Sequence, residues 1–211
     1  MISKTDIEEL FAPQLEKIGD ETLRGQVVDT WVKGCEKGGW KSVAELEEMP
    51  FTLLTETHGV NFIDHTIAVT EGAAALAEAQ QDTYDGLPYA ISMDRIYAGG
   101  LLHDVGKLLE TEKYGTGFRK SLSGKHTRHP ISGAFLAREC GISDDILNII
   151  VCHSKEGDGR PHVIETVFVH QADFATFNPM VMKEKGLLIE GQKTKDKIQN
   201  PKSKRQKTPM E

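Results

Sequence analysis

Chemistry in this sequence centres on a histidine–aspartate doublet. His103 and Asp104 sit in AGGLLHDVGKLL, a stretch otherwise apolar apart from Lys107. An ionised carboxylate buried beside an imidazole is costly unless a strong partner compensates. A divalent cation is such a partner. Imidazole and carboxylate together suit iron, manganese, cobalt, nickel or zinc rather than calcium or a purely oxygen-bound magnesium. Further candidate ligands follow in order: His65, His129, His153 and Asp173. The step from His65 to His103 is 38 residues, and steps of 25, 24 and 20 lead from Asp104 to His129, His153 and Asp173. Each step is about a helix plus a loop, so about four or five antiparallel helices could converge on one centre. A lone histidine in an apolar helix is more often a hydrogen-bonded core residue, and His58, His126, His162 and His170 can be read that way. His170 lies three residues before Asp173 on the same helix face and suits a hydrogen-bonding partner behind the ligands.

Helices must position these residues. Ile7, Leu10, Phe11, Leu15 and Ile18 have helical spacing from Asp6 to about Ile18, with Pro13 interrupting. A second helix is expected from Glu21 to Lys33, then a break at Gly34, Gly38 and Gly39, and a short helix and loop from Lys41 to Gly59. NFIDHTIAVTEGAAALAEAQ reads as the helix that carries His65. A helix from Met93 to Leu109 would hold the doublet. Glu110 to Lys125 reads as a loop rich in Gly, Ser, Lys and Arg. Pro130 opens the next helix and Gly141 ends it. Ser143 is the expected cap of ILNIIVCHS, and Pro161 the expected start of a last helix through HVIETVFVHQADFATF. No series of strands is legible, so the fold class is all-α. Trp31, Trp40 and Phe51 are expected in the core.

Composition narrows the class. The chain has 211 residues and a net charge of −7. Residues 180–211 contain nine Lys/Arg and four Asp/Glu, about +5, which leaves about −12 on the rest. An acidic body is a poor match for nucleic acid, whose binding needs a basic face. No apolar run approaches the ~18–20 residues of a membrane span, and the N-terminus lacks an apolar signal core. Three cysteines without a CxxC pair argue against a disulfide framework and fit a reducing cytoplasm. Cys152, next to His153, reads as a buried structural thiol. The expected layout is an N-terminal helical extension at 1–50, a metal-binding domain at 51–180 and a basic, disordered tail at 181–211.

The order H…HD…H…H…D, with HDVGK at its middle, resembles the HD superfamily of metal-dependent phosphohydrolases. The resemblance runs from about Asn61 to Phe177. It rests on IDHTIAVTEGAAALA, AGGLLHDVGKLLE, RHPISGAFLA, and IIVCHS followed by VHQADF. It implies an HD-domain helical bundle with the metal site between helices. Members that use only the first histidine, the doublet and the last aspartate hold one metal; here these are His65, His103, Asp104 and Asp173. Members that add two middle histidines, here His129 and His153, are binuclear. The resemblance thus implies two divalent transition metal ions bridged by Asp104, with iron first and manganese, cobalt or nickel as alternatives. No GYP follows His153, which disfavours cyclic-di-GMP hydrolysis.

The reaction expected from this resemblance is phosphoester hydrolysis by a metal-activated hydroxide, on a small nucleotide or phosphorylated metabolite. Asp104 and Lys107 are the catalytic candidates, Lys107 because it lies three residues on and could neutralise a phosphoryl group. Lys107, Arg119, Lys120, Lys125, His126 and Arg128 are candidate substrate-phosphate contacts. A second reading is a mixed-valence di-iron oxygenase that cleaves a C–C or C–P bond, because proteins resembling this family use the same six ligands for it. A third is a regulatory module that keeps its metal for stability. The expected partner is a small phosphorylated substrate, with no membrane and no nucleic acid. The extension would cover one side of the bundle or form a homodimer contact.

Overall fold

The computed structural model describes residues 1–189. Helices α1 (Lys4–Leu10) and α2 (Ala12–Leu15) open the chain. Ser3 closes a capping box on α1, accepting from the Asp6 amide while the Asp6 carboxylate accepts from Ser3. Next come α3 (Glu21–Gly38), capped by Asp20, and α4 (Val43–Glu48), capped by Ser42. The central elements are α5 (Phe62–Thr83), α6 (Met93–Leu102) and the single-turn α7 (Lys107–Glu110). A hairpin of β1 (Thr111–Tyr114) and β2 (Gly117–Lys120) follows, then α8 (Leu122–His126), α9 (His129–Glu139), α10 (Asp144–Cys152) and α11 (Ile164–Glu184).

The fold is all-α apart from this hairpin. Helix α5 packs along α6 and α11, α9 along α10, and α3 across α6, α7 and α9. One apolar cluster runs from Ile7, Phe11 and Trp31 through Leu101 to Ile150 and Val169. Trp31 lies between Phe11 and Phe62, with ring centroids at 4.8 and 5.4 Å, and its indole N–H donates to the Leu101 carbonyl at 3.0 Å. Trp40 donates likewise to Leu108 at 2.8 Å, so both indoles are buried with their polar atom satisfied. Phe51 is also buried.

Several expected boundaries move. The helix foreseen from Met93 to Leu109 breaks at the doublet. Residues 103–106 form tight turns in which Val105 N–H bonds Leu102 and Lys107 N–H bonds Asp104, at 3.1 and 2.8 Å. A close approach marks this turn: a Cβ on Gly106 would stand 2.0 Å from the His129 carbonyl oxygen. Only glycine lets the start of α9 close on the doublet. The loop expected at 110–125 contains the hairpin, turned at Gly115 with φ 60°, and α8. Phe118 from β2 stacks on Trp40 with centroids at 6.3 Å, a tertiary contact that the Gly, Lys and Arg content of the segment concealed. Helix α9 starts at His129, one residue before Pro130. Ser143 takes the N-cap position of α10 without a side-chain capping bond. The last helix starts at Ile164 rather than Pro161, after a 3₁₀ turn at Lys155–Gly157. It runs through Glu184, so the expected tail at 181–211 is helical at its start. The rest of that expectation, from residue 190 on, lies outside the described residues. Among the described residues no helix is long and apolar enough to cross a membrane.

Candidate metal centre

Five helices deliver the six expected ligands. His65 comes from α5, His103 caps the C-terminus of α6, and Asp104 is the next residue in the turn. His129 is the first residue of α9, His153 caps the C-terminus of α10, and Asp173 comes from α11. His103 and His153 are set by the same local device. At a helix C-terminus the last carbonyls lack intrahelical partners. The His103 Nδ1–H donates to Gly100 O at 2.6 Å and the His153 Nδ1–H to Ile150 O at 2.8 Å, in both cases three residues back. His129 donates its Nδ1–H to Glu110 Oε2 at 2.8 Å. Thr176 spends its hydroxyl hydrogen on Asp173 O and so faces His65 Nδ1, at 3.4 Å, as an acceptor.

These bonds place all four ring protons on Nδ1 and leave the four Nε2 atoms as bare acceptors. All four point at one buried carboxylate. Asp104 Oδ2 lies 3.4 Å from His65 Nε2 and 3.3 Å from His103 Nε2. Its Oδ1 lies 3.2 Å from His129 Nε2 and 3.5 Å from His153 Nε2. Buried acceptors facing acceptors without a donor between them are costly. The Nε2 atoms of His65, His103 and His153 have no hydrogen-bond partner. A cation between nitrogen and oxygen removes the conflict, and the negative ends of α6 and α10 favour one there. The chemistry of the donors therefore fits a metal. His65, His103 and Asp104 form one group able to hold an ion, and Asp104, His129 and His153 form another. Asp173 Oδ1, 3.2 Å from His65 Nε2, adjoins the first.

Charge is balanced accordingly. Burial pushes the Asp104 carboxyl upward, but the Lys107 ammonium beside it outweighs this and holds it well below the usual carboxylate range. For His129 burial lowers the pKa and prevails over Asp104 and Glu110, which favours the neutral ring a ligand needs. Lys107 Nζ donates to Asp104 Oδ2 and, at 2.7 Å, to Phe51 O.

A cavity of about 500 Å³ opens over the centre, within the range of small-molecule sites. Lys107, Lys120 and Arg128, all expected to meet substrate, line it. Arg119, Lys125 and His126 do not line it. Arg119 pairs with Glu112 at 2.6 Å and lies over the Tyr114 ring, because strand alternation turns it away from its neighbour Lys120. Lys125 and His126 are exposed on α8. His170 sits behind His153, its Nδ1–H donating to His153 O at 2.6 Å. His58 pairs with Glu184, and His162 bonds Gly157 O. Burial pushes the Cys152 thiol up, as suits an unreactive cysteine.

Two residues of the site were not foreseen. Phe51 stacks on His65 with centroids at 4.4 Å. Glu110 Oε2 receives both the ring and the backbone N–H of His129, while Oε1 faces Lys120 at 2.9 Å and Arg128 at 3.4 Å. The available signal for Glu110 was an acid that closes an apolar run just before a cationic segment. Glu110→Gln should lower metal affinity about 10–100-fold, read by chelator competition, because it weakens the anchor of a ligand ring.

Glu110 also predicts a pH effect in the metal-free protein. Burial would raise its pKa, but His129 and Lys120 hold it at about 2 against an ordinary 4.5. A depressed carboxyl contributes stability that is fully present above the unfolded value and lost as pH falls through the folded one. Acid unfolding followed by circular dichroism should therefore steepen between pH 4.5 and about 2, and Glu110→Gln should flatten that slope.

A helical bundle with a buried histidine–aspartate centre is the class that fold and site define. The HD domain family model matches residues 62–176, more than half of the chain, and the protein belongs to that family. Ribonuclease Y of Pseudothermotoga lettingae is 37% identical over 170 residues, covering 79% of this chain and 28% of that protein. Ribonuclease Y of Thermosipho melanesiensis is 28% identical over 175 residues, 82% of this chain and 29% of that protein. The dihydroneopterin 2′,3′-cyclic phosphate phosphodiesterase of Methanocaldococcus jannaschii is 26% identical over 164 residues, 76% of this chain and 65% of that protein. The chain thus spans less than a third of the length of these two ribonuclease Y relatives. No solved structure matches it significantly.

Proposed function

We propose that this protein is a phosphohydrolase acting on a small nucleotide or phosphorylated metabolite, with two divalent transition metal ions held by His65, His103, Asp104, His129, His153 and Asp173. The observation that carries this reading is the setting of Asp104, whose two oxygens each face a separate pair of bare imidazole nitrogens. Two such ions, when bound, supply Lewis acidity and a hydroxide nucleophile near neutral pH. The chain contributes the rest. Nδ1 bonds fix the ligand rings, Glu110 holds His129 in place, and Lys107 directs an ammonium into the cavity, where charge develops on a transferring phosphoryl group. The relative named a cyclic phosphate phosphodiesterase supports hydrolysis at phosphorus. Residues 1–50 are read as an extension that covers the bundle, supported by the core that Trp31 shares with Leu101.

The test is turnover of a panel of nucleoside monophosphates, 2′,3′-cyclic nucleotides and sugar phosphates by manganese-loaded protein without oxygen. Phosphate release or ring opening is the expected result. Oxygen consumption by the iron-loaded protein coupled to phosphonate or polyol cleavage, with no hydrolysis on the panel, would replace this reading with the oxygenase. The similarity to ribonuclease Y adds a short RNA to the panel. Cleavage of RNA alone would move the substrate from nucleotide to polymer.

A further inference from the structure

The cavity over the centre has two unlike walls. On the side of His65 and Asp173 it is aromatic. Phe51 backs His65, Phe177 meets Phe51 edge-on with centroids at 6.3 Å, and Phe174 leans on His170 at 4.6 Å. Phe51 also borders the cavity but is 1% exposed, with a ring face spent on His65. Phe174 and Phe177 line it too and differ in being partly exposed. Leu53 and Leu54, 44% and 80% exposed, continue the apolar surface at the rim. On the side of His129 the wall is cationic, with Lys120 and Arg128 grouped around Glu110. Apolar rings left facing water beside a charged centre mark a surface that a ligand covers.

We propose that the substrate carries a flat aromatic base next to its phosphate, and that Phe174 and Phe177 hold that base and so determine specificity. The inference rests on the phosphohydrolase reading and names its substrate class more narrowly. A phosphate over Asp104 leaves its organic group between the two walls. A nucleobase meets both demands, since its faces stack on phenyl rings while its polar edge can reach ammonium and guanidinium groups. A bare sugar phosphate would leave the aromatic wall wet. An acyl chain would need an apolar tunnel, whereas here the apolar wall shares one cavity of about 500 Å³ with the cationic one. Phe174 and Phe177 follow Asp173 on α11, so base and phosphate would be held from one helix.

The experiment is calorimetric binding of adenosine 3′-monophosphate and of glycerol 2-phosphate to the manganese-loaded protein. Adenylate should bind tighter by about tenfold or more, the scale of base–aromatic stacking. Phe174→Leu and Phe177→Leu should each shrink that ratio several-fold, and Phe174→Tyr, which restores a ring, should keep it. Melting curves of each variant separate loss of the ring from loss of the fold. Equal affinities, absent adenylate binding, or a ratio that both leucine variants leave intact would overturn the inference. Turnover of 2′,3′-cyclic adenylate is measured separately. Ring-dependent adenylate selectivity without hydrolysis would sustain the inference and sink the phosphohydrolase reading alone.

Discussion

Asp104→Asn should yield a folded protein that no longer retains metal and whose hydrolytic rate falls by at least about a thousandfold. The substitution keeps the shape of the side chain and removes the one anion that both histidine pairs share. An amide oxygen is a weak ligand, and the amide nitrogen is a donor that would turn towards the bare Nε2 atoms. That same nitrogen relieves the meeting of acceptors seen around Asp104, so the variant should melt close to the metal-free parent. Asp104→Ala is the poorer test. It leaves the Lys107 ammonium with neither an anion nor an acceptor at that position, where the asparagine oxygen would still accept from it, and breaking a buried pair so completely costs about 3–5 kcal/mol. Elemental analysis, initial rates and a melting curve on the asparagine variant check the prediction together. Retained metal and retained rate would contradict it.

Lys107→Met should keep the metal and lose about 10²–10³ in kcat, the effect of removing one donor aimed at developing charge. The ammonium reaches both Asp104 and the Phe51 carbonyl, so a structural role has to be separated from a chemical one. Were Lys107 only a strut for the segment around Phe51, the melting temperature would fall and kcat would hold. The chemical role predicts the reverse: a large loss in kcat, a smaller change in KM and metal content like the parent's. Lys107→Arg should not restore the rate, because the planar guanidinium cannot take the place of a compact point charge between two acceptors.

The candidate ligands stood out in the sequence for a physical reason. Histidines and an aspartate in apolar helical stretches are costly, so their order and helix-length spacing stand out against a core made of Leu, Ile, Val and Ala. The helices that carry them were legible for the same reason, through apolar periodicity. The supporting groups were not. Glu110 and Phe51 reach His129 and His65 only through tertiary closeness, and neither residue type is unusual where it stands. The break after Leu102 was hidden because LLHDVGKLL has helical periodicity throughout, and the need for Gly106 to admit the His129 backbone is set by another helix. Among the cationic candidates, residue type alone could not say which face of the hairpin each occupies, so Arg119 and Lys120 looked equivalent. Strand alternation separates them.

Metal stoichiometry tests the central claim most directly. Metal-free protein titrated with Mn²⁺, with bound metal counted and the electron spin resonance recorded at saturation, should take up about two ions per chain with the signal of a coupled pair, as one carboxylate shared between two sites requires. Saturation at a single uncoupled ion, or no tight binding at all, would contradict a binuclear centre built around Asp104.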